Sequence, residues 1–96
     1  MSASCRPRLI IFYAETSGPS RRVDGYLAQV LQRNRNHDTF EIIRVDADKR
    51  PDLVERLRIT TIPELLVVEG RKVRSRIRKP RGAAALADAL TPWLRR

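Results

Sequence analysis

With 96 residues and 42% apolar content, the chain can bury one core but not two, so a single domain over 1–96 is expected. One cysteine excludes an internal disulfide, and one cysteine with one histidine excludes a metal cluster, so neither metal nor cofactor is expected. Twenty Lys and Arg against eleven Asp and Glu give a net charge of +9, which favours anionic partners and says nothing about fold.

Residues 1–7 read as a flexible N-terminal tail without the apolar core and cleavage site of a signal peptide. No apolar run is long enough to cross a bilayer, so a cytoplasmic protein is expected. Leu9-Ile-Ile-Phe-Tyr13 is a continuous apolar run, as in a strand buried on both faces. After Ser17-Gly-Pro-Ser20, Val23, Tyr26, Leu27, Val30 and Leu31 recur three and four apart, with Arg21, Arg22, Gln29 and Gln32 opposite. This is a long amphipathic helix that fades at Asn34-Arg-Asn36. Phe40 to Val45 is a second strand, and Pro51 to Leu57 a short helix with proline in its first turn and acids near its positive end. Leu65 to Val68, a turn at Glu69-Gly70, and Lys72 to Arg78 form a hairpin, and a last helix puts Leu86, Leu90, Trp93 and Leu94 on one face. The opening β-α-β implies a right-handed parallel unit, to which the hairpin adds antiparallel strands: a mixed α/β sheet.

The order β-α-β-α-β-β-α and three separated motifs resemble the thioredoxin family from about Leu9 to the C-terminus. Thr16-Ser-Gly-Pro-Ser20 stands where the family has Trp-Cys-Gly-Pro-Cys. Val45-Asp-Ala-Asp48 is similar to its Val-Asp-x-Asp step, and Ile62-Pro63 to its Ile-Pro before a strand. The resemblance implies a thioredoxin-like fold with a mixed four-stranded sheet flanked by helices, lacking most of the family's N-terminal strand and helix. It also implies a cis Ile62-Pro63 bond, an isomer that X-Pro tolerates at small cost.

The departures bear on chemistry. In the family the first cysteine, at a helix N-terminus, attacks a disulfide as thiolate and the second resolves the mixed disulfide. Ser17 and Ser20 hold those positions here; a hydroxyl forms no disulfide and does not ionise near neutral pH without a strong base. The one histidine, His37, lies beyond the far end of the long helix, about 24 Å away at the helical rise, so a serine nucleophile has no base. Ser17 reads instead as a helix N-cap, with Gly18 and Pro19 shaping the turn and Ser20 a small residue in it. The family's buried acid on the first strand is matched by Ile11. The glycine that lets a partner chain approach falls at Arg78 or Lys79. Cys5, about 20 Å or more from Ser17 along the first strand, does not replace the lost thiols.

Two surfaces remain as candidate sites. If the family's peptide groove is kept, Ser17, Gly18, Pro19, Ser20, Thr61, Ile62, Pro63 and Arg78 form it, holding an extended peptide by strand addition without reacting with it. The second surface is basic. Seven of the eleven residues from Arg71 to Arg81 are Lys or Arg: Arg71, Lys72, Arg74, Arg76, Arg78, Lys79 and Arg81. Lys72, Arg74, Arg76 and Arg78 alternate, so they are expected on one strand face, with Val73 and Ile77 on the other. Such a stripe suits a phosphate backbone or an acidic protein, or it guards an edge strand against aggregation; it has no interleaved aromatics for single-strand stacking. Asp46, Asp48 and Asp52 read as strand-end and helix-start acids. Three functions stay open. The first is a redox-inactive thioredoxin-like protein that binds a protein or peptide non-covalently. The second is a thiol-disulfide oxidoreductase in a Cys-to-Ser form, and the third a binder of anions or nucleic acid through the basic face.

Overall fold

The computed structural model describes residues 6–94, which form four strands and three helices in the expected order. The strands are β1 (Arg8–Tyr13), β2 (Glu41–Asp46), β3 (Glu64–Glu69) and β4 (Lys72–Arg78). The helices are α1 (Gly18–Gln32), α2 (Pro51–Arg56) and α3 (Ala83–Leu90). The sheet order is β2-β1-β3-β4, with β1 parallel to β2 and antiparallel to β3, and β3 antiparallel to β4. The apolar strands β1 and β3 are therefore central, and the charged β2 and β4 are edges, where exposed charge resists further pairing.

Local chemistry sets the element ends. Asn34 and Arg35, at φ 54° and 56°, turn the chain out of α1 into a short 3₁₀ segment (Arg33–Asp38). Just past α2, Arg58 takes φ 55°, its N–H donates to Glu55 O, and Ile59 N–H donates to Val54 O, a left-handed helix terminus of the kind usually built on glycine. The hairpin turns on Gly70 at φ 62°, a conformation glycine adopts without steric cost. Residues 6 and 7 do not continue the expected tail: Pro7 O accepts from Glu41 N–H at 2.9 Å, extending the β1–β2 ladder, and Arg6 Nη1 donates to Asp38 O at 3.4 Å. The rest of that tail, with Cys5, lies outside the described residues.

The two faces of the sheet are covered unequally. On one, α1 and α3 lie over β1, β3 and β4, burying Leu9, Ile11, Val23, Leu27, Leu65 and Leu86 with six further residues. Phe40 joins this core and meets Trp93 at 6.5 Å between ring centroids, tilted 57°. On the other face Phe12, Val45, Ile59 and Leu66 are buried beneath α2, which contributes Leu53 and Val54 from only six residues. At about 1.5–3 kcal/mol per fully buried large side chain, the α1/α3 face carries most of the burial energy.

Candidate functional site

The sharp turn between β1 and α1 brings Ser17 to the start of the helix. Ser17 Oγ accepts from Ser20 N–H at 3.3 Å, with Ser17 backbone φ −89° and ψ 117°, the geometry of a side-chain N-cap. Ser20, 5% exposed, accepts through Oγ from Ala14 N–H at 3.2 Å, and Ser17 N–H donates to Ala14 O at 3.0 Å. Both hydroxyl oxygens thus hold the loop's own backbone. The cap follows the sequence expectation; the return bond from Ser20 to Ala14 does not follow from any local pattern. Ile11, at the position of the family's buried acid, is 2% exposed in the apolar core under α1. His37 is exposed in the 3₁₀ segment at the opposite end of α1.

Beside this loop lies an open groove of about 590 Å³. Its apolar lining is Pro19, Tyr26, Pro63 and Pro80, with Thr61; its charged lining is Arg22, Arg78, Lys79 and Arg81. The Ile62–Pro63 bond is cis. Pro19, Thr61, Pro63 and Arg78 are therefore brought together as expected, whereas Ser17, Gly18 and Ile62 do not line the groove. Ser20 faces a separate depression with Tyr13, Glu15 and Asp24. Arg22 and Tyr26 were missed as site residues. Their signal is in the sequence: positions 19, 22 and 26 are three and seven residues apart, one flank of a helix.

The groove wall after β4 is fixed by its backbone. Lys79 N–H donates to Pro63 O at 3.1 Å, and Lys79 sits at φ 42°. A left-handed backbone costs a residue with a Cβ about 1–2 kcal/mol, so a lysine here is held against its own preference. Of the two positions matched to the family's glycine, Lys79 is the one with a backbone that suits glycine. Thr61 Oγ1 is buried without a hydrogen-bond partner among the described residues. Nor do the backbone groups of Thr60, Thr61 and Ile62 form backbone hydrogen bonds there.

The basic stripe expected on one face of β4 is not continuous. A register shift opposite Val67 and Val68 sets Val73 across from Val68, while Arg76 and Arg78 stand across from Leu66 and Glu64. Val73 therefore shares the face of Arg76 and Arg78, and Lys72, across from Glu69, lies on the other. An extra residue in one strand reverses the alternation beyond it, so period two does not survive the bulge. The arginines are also engaged internally. Arg74 Nε lies 3.3 Å from Glu69 Oε1, Arg76 Nη1 2.9 Å from Glu64 Oε2, and Arg78 Nε 3.6 Å from Glu64 Oε1. Arg76 Nη2 also donates to Leu57 O at 2.7 Å, tying β4 to the end of α2.

Glu64, the first residue of β3, is fully buried, while the side chains of Arg76 and Arg78 are 31% and 54% exposed. Arg76 donates to Oε2, whereas Oε1 has no hydrogen-bond partner among the described residues and faces Arg78 Nε at 3.6 Å. The acids near α2 serve local structure. Asp46 Oδ1 accepts from Asp48 N–H at 3.0 Å, and Asp52 takes two hydrogen bonds from Arg50, at 3.1 and 3.0 Å. The Arg50 hydrogen bonds hold the Asp52 carboxyl below the ordinary carboxylate range and raise the Arg50 guanidinium.

Comparison with known proteins agrees with this geometry. The sequence model of a family described as thioredoxin matches residues 1–92. The chain is 29% identical over 89 residues to a bifunctional thioredoxin reductase/thioredoxin of Mycobacterium leprae, covering 93% of this chain but only 19% of that protein's length. It is 27% identical over 90 residues to a thioredoxin-like protein of Synechocystis, covering 94% of this chain and 84% of the relative. The structure of Plasmodium falciparum thioredoxin superposes with a TM-score of 0.78 at 19% identity, over 93% of this chain and 83% of that one, a likeness of fold.

Proposed function

This chain belongs to the thioredoxin family, and from that premise we propose that it is a redox-inactive member that holds an extended peptide without reacting with it. The observation that carries the reading is the double use of the serines. Ser17 and Ser20 stand at the reactive positions, and each spends its oxygen on the loop backbone. What remains beside the loop is an open groove lined by Thr61 and Pro63, and the Thr61 backbone, which forms no backbone hydrogen bond among the described residues, offers the groups that strand addition uses. The apolar Ile11 and the lysine at position 79 depart from the family pattern at two further places. A laboratory trap that exchanged only two sulfurs would leave both unchanged, so these departures favour native serines over an oxidoreductase captured in a Cys-to-Ser form.

The cytoplasm is the compartment we infer, since the chain has a single cysteine and reducing compartments do not favour disulfide scaffolds. Among the described residues no helix is long and apolar enough to cross a membrane.

Insulin-disulfide reduction tests the reading, with Cys5 replaced by serine throughout. The chain with Ser17 and Ser20 is expected to give no turnover above the background of the reductant. Turnover by that chain overturns the redox-inactive reading. The paired change Ser17→Cys and Ser20→Cys asks whether the loop can still support exchange. Activity at the level of an ordinary thioredoxin would favour an oxidoreductase origin, whereas weak or absent activity is expected with Ile11 and Lys79 in place.

A further inference from the structure

The groove beside Pro63 has a chemical bias of its own. Its lining contains four cations and no carboxylate. Six described arginines, Arg8, Arg44, Arg50, Arg74, Arg76 and Arg78, have acidic partners. Of the described cations without an acidic partner, which also include Arg21, Arg33, Arg35 and Lys72, Arg22, Lys79 and Arg81 converge on this one groove. Arg78 completes the set: its Nε lies 3.6 Å from the buried Glu64, beyond hydrogen-bond distance, and its side chain stays half exposed. Lys79 is kept at φ 42° with its N–H bonded to Pro63 O, so its side chain leaves a backbone position where glycine would be relaxed. Strain retained in a groove wall points toward a use for the side chain.

Resting on the reading of this groove as a non-covalent peptide site, we propose that it selects acidic segments. An apolar side chain of the bound segment lies over Pro19, Pro63 and Pro80, and neighbouring carboxylates meet Arg22, Arg78, Lys79 and Arg81. The net charge of +9 draws such a segment in, and the forked guanidinium groups of Arg22 and Arg81 offer its carboxylates paired donors. The same features argue against nucleic acid as the occupant. Tyr26 is the one aromatic in the lining, too few for a run of stacked bases, and the cations of β4 that would track a phosphate backbone are interrupted by the bulge and paired with Glu64 and Glu69.

The test uses the full chain with Cys5→Ser and three fluorescein-labelled probes: a short peptide with a central leucine flanked by glutamates, its counterpart with glutamines, and an oligothymidylate. Fluorescence anisotropy is expected to show the glutamate peptide binding at least about tenfold more tightly than the glutamine peptide. Its Kd should rise about tenfold in Lys79→Gly/Arg81→Gln, the loss expected for two partly exposed charge pairs. Arg33→Gln/Arg35→Gln, which removes the same charge away from the groove, should change it less than twofold. Lys79→Gly alone should raise the thermal midpoint by a few degrees while weakening binding, which separates lost affinity from lost folding. Equal binding of the two peptides, with both lost on widening the groove by Pro63→Ala, overturns the acidic preference and leaves the peptide reading standing. Binding by neither peptide overturns both. Tighter binding of the oligothymidylate, lost in the same double variant, replaces the acidic segment with nucleic acid. Equal losses in the two double variants would reduce the effect to net charge and overturn the groove as its source.

Discussion

The two faces of the sheet answer one problem in opposite ways. Under α1 and α3 the sheet presents an almost wholly apolar surface, with Leu9, Ile11, Leu65, Val67 and Ile77 from three strands meeting Leu27, Leu86 and Leu90. Under α2 it presents Phe12, Leu66 and Val45, and then, where the short helix no longer reaches, Glu64 clasped by Arg76 and Arg78. A face covered by two helices can be closed with hydrocarbon. A face covered by six helical residues must end in groups that tolerate partial hydration, and long arginine side chains lay apolar stems along the sheet while their heads remain wet. Val73, 39% exposed on that face, marks how thin the cover becomes at the edge strand.

The comparison breaks first by truncation. Leu90→Ala on the closed face should lose about 3–5 kcal/mol in urea unfolding, and Leu53→Ala on the thin face about 1 kcal/mol, because a partly hydrated site loses less transfer energy and leaves no closed cavity. Equal losses would mean that α2 closes its face as well as α1 and α3 close theirs.

The ionic closure comes next. Arg76→Met leaves buried Glu64 with Arg78 alone and should cost about 3 kcal/mol, whereas Arg76→Met with Glu64→Leu should recover most of it, since a matched apolar pair needs no counter-charge. A double-mutant cycle measures the coupling; near-additive losses would show that the cluster does not act as a unit.

The termini of α1 and α2 sharpen the contrast at smaller scale. Ser17→Ala should lose about 1 kcal/mol in the same unfolding assay, the usual cost of an N-cap, and do so without changing groove affinity by strain. Arg58→Gly should gain about 0.5–1 kcal/mol by relaxing the left-handed end of α2. An Arg58→Gly variant no more stable than the parent would show that Arg58 compensates through its side chain.

The smallest expected effect is the pH dependence at the start of α2. The Asp52 carboxyl is lowered in the folded chain, chiefly by its hydrogen bonds from Arg50. Its stabilisation is therefore present above the ordinary carboxylate range and is lost as the pH falls through the lowered one. Both groups are fully exposed, so an Asp52→Asn variant should differ from the parent only at the acid limit of α2 amide exchange. A difference that persists at neutral pH and high salt would point to the cap geometry instead of the charge.

Much of this architecture was legible in the chain because it depends on local periodicity. The apolar runs of β1 and β3, the three- and four-residue recurrence in α1 and the proline and glycine punctuation sufficed to order the elements, and Ser17 announced its cap. The site was legible in part. Pro19, Thr61, Pro63 and Arg78 do meet, but Arg22 and Tyr26 were assigned to the polar and apolar sides of α1 without a groove between them. The β4 stripe failed for a reason no alternation rule contains. One extra residue opposite Val67 and Val68 shifts Lys72 and Val73 to the faces opposite those expected, and such an insertion is chosen by pairing with the neighbouring strand.

By itself the sequence determined the family frame, the serines at positions 17 and 20 where the family has cysteines, and the surplus of positive charge, because each resides in residue identity and order. Tertiary structure alone decided which of those charges are available. Folding pairs Arg74 and Arg76 with acids up to twelve residues away, buries Glu64 beneath β4, and leaves Arg22, Lys79, Arg81 and the half-exposed Arg78 around Pro63. A charge acts through its distance to its neighbours and its access to water, and both are set only when strands and helices are brought together.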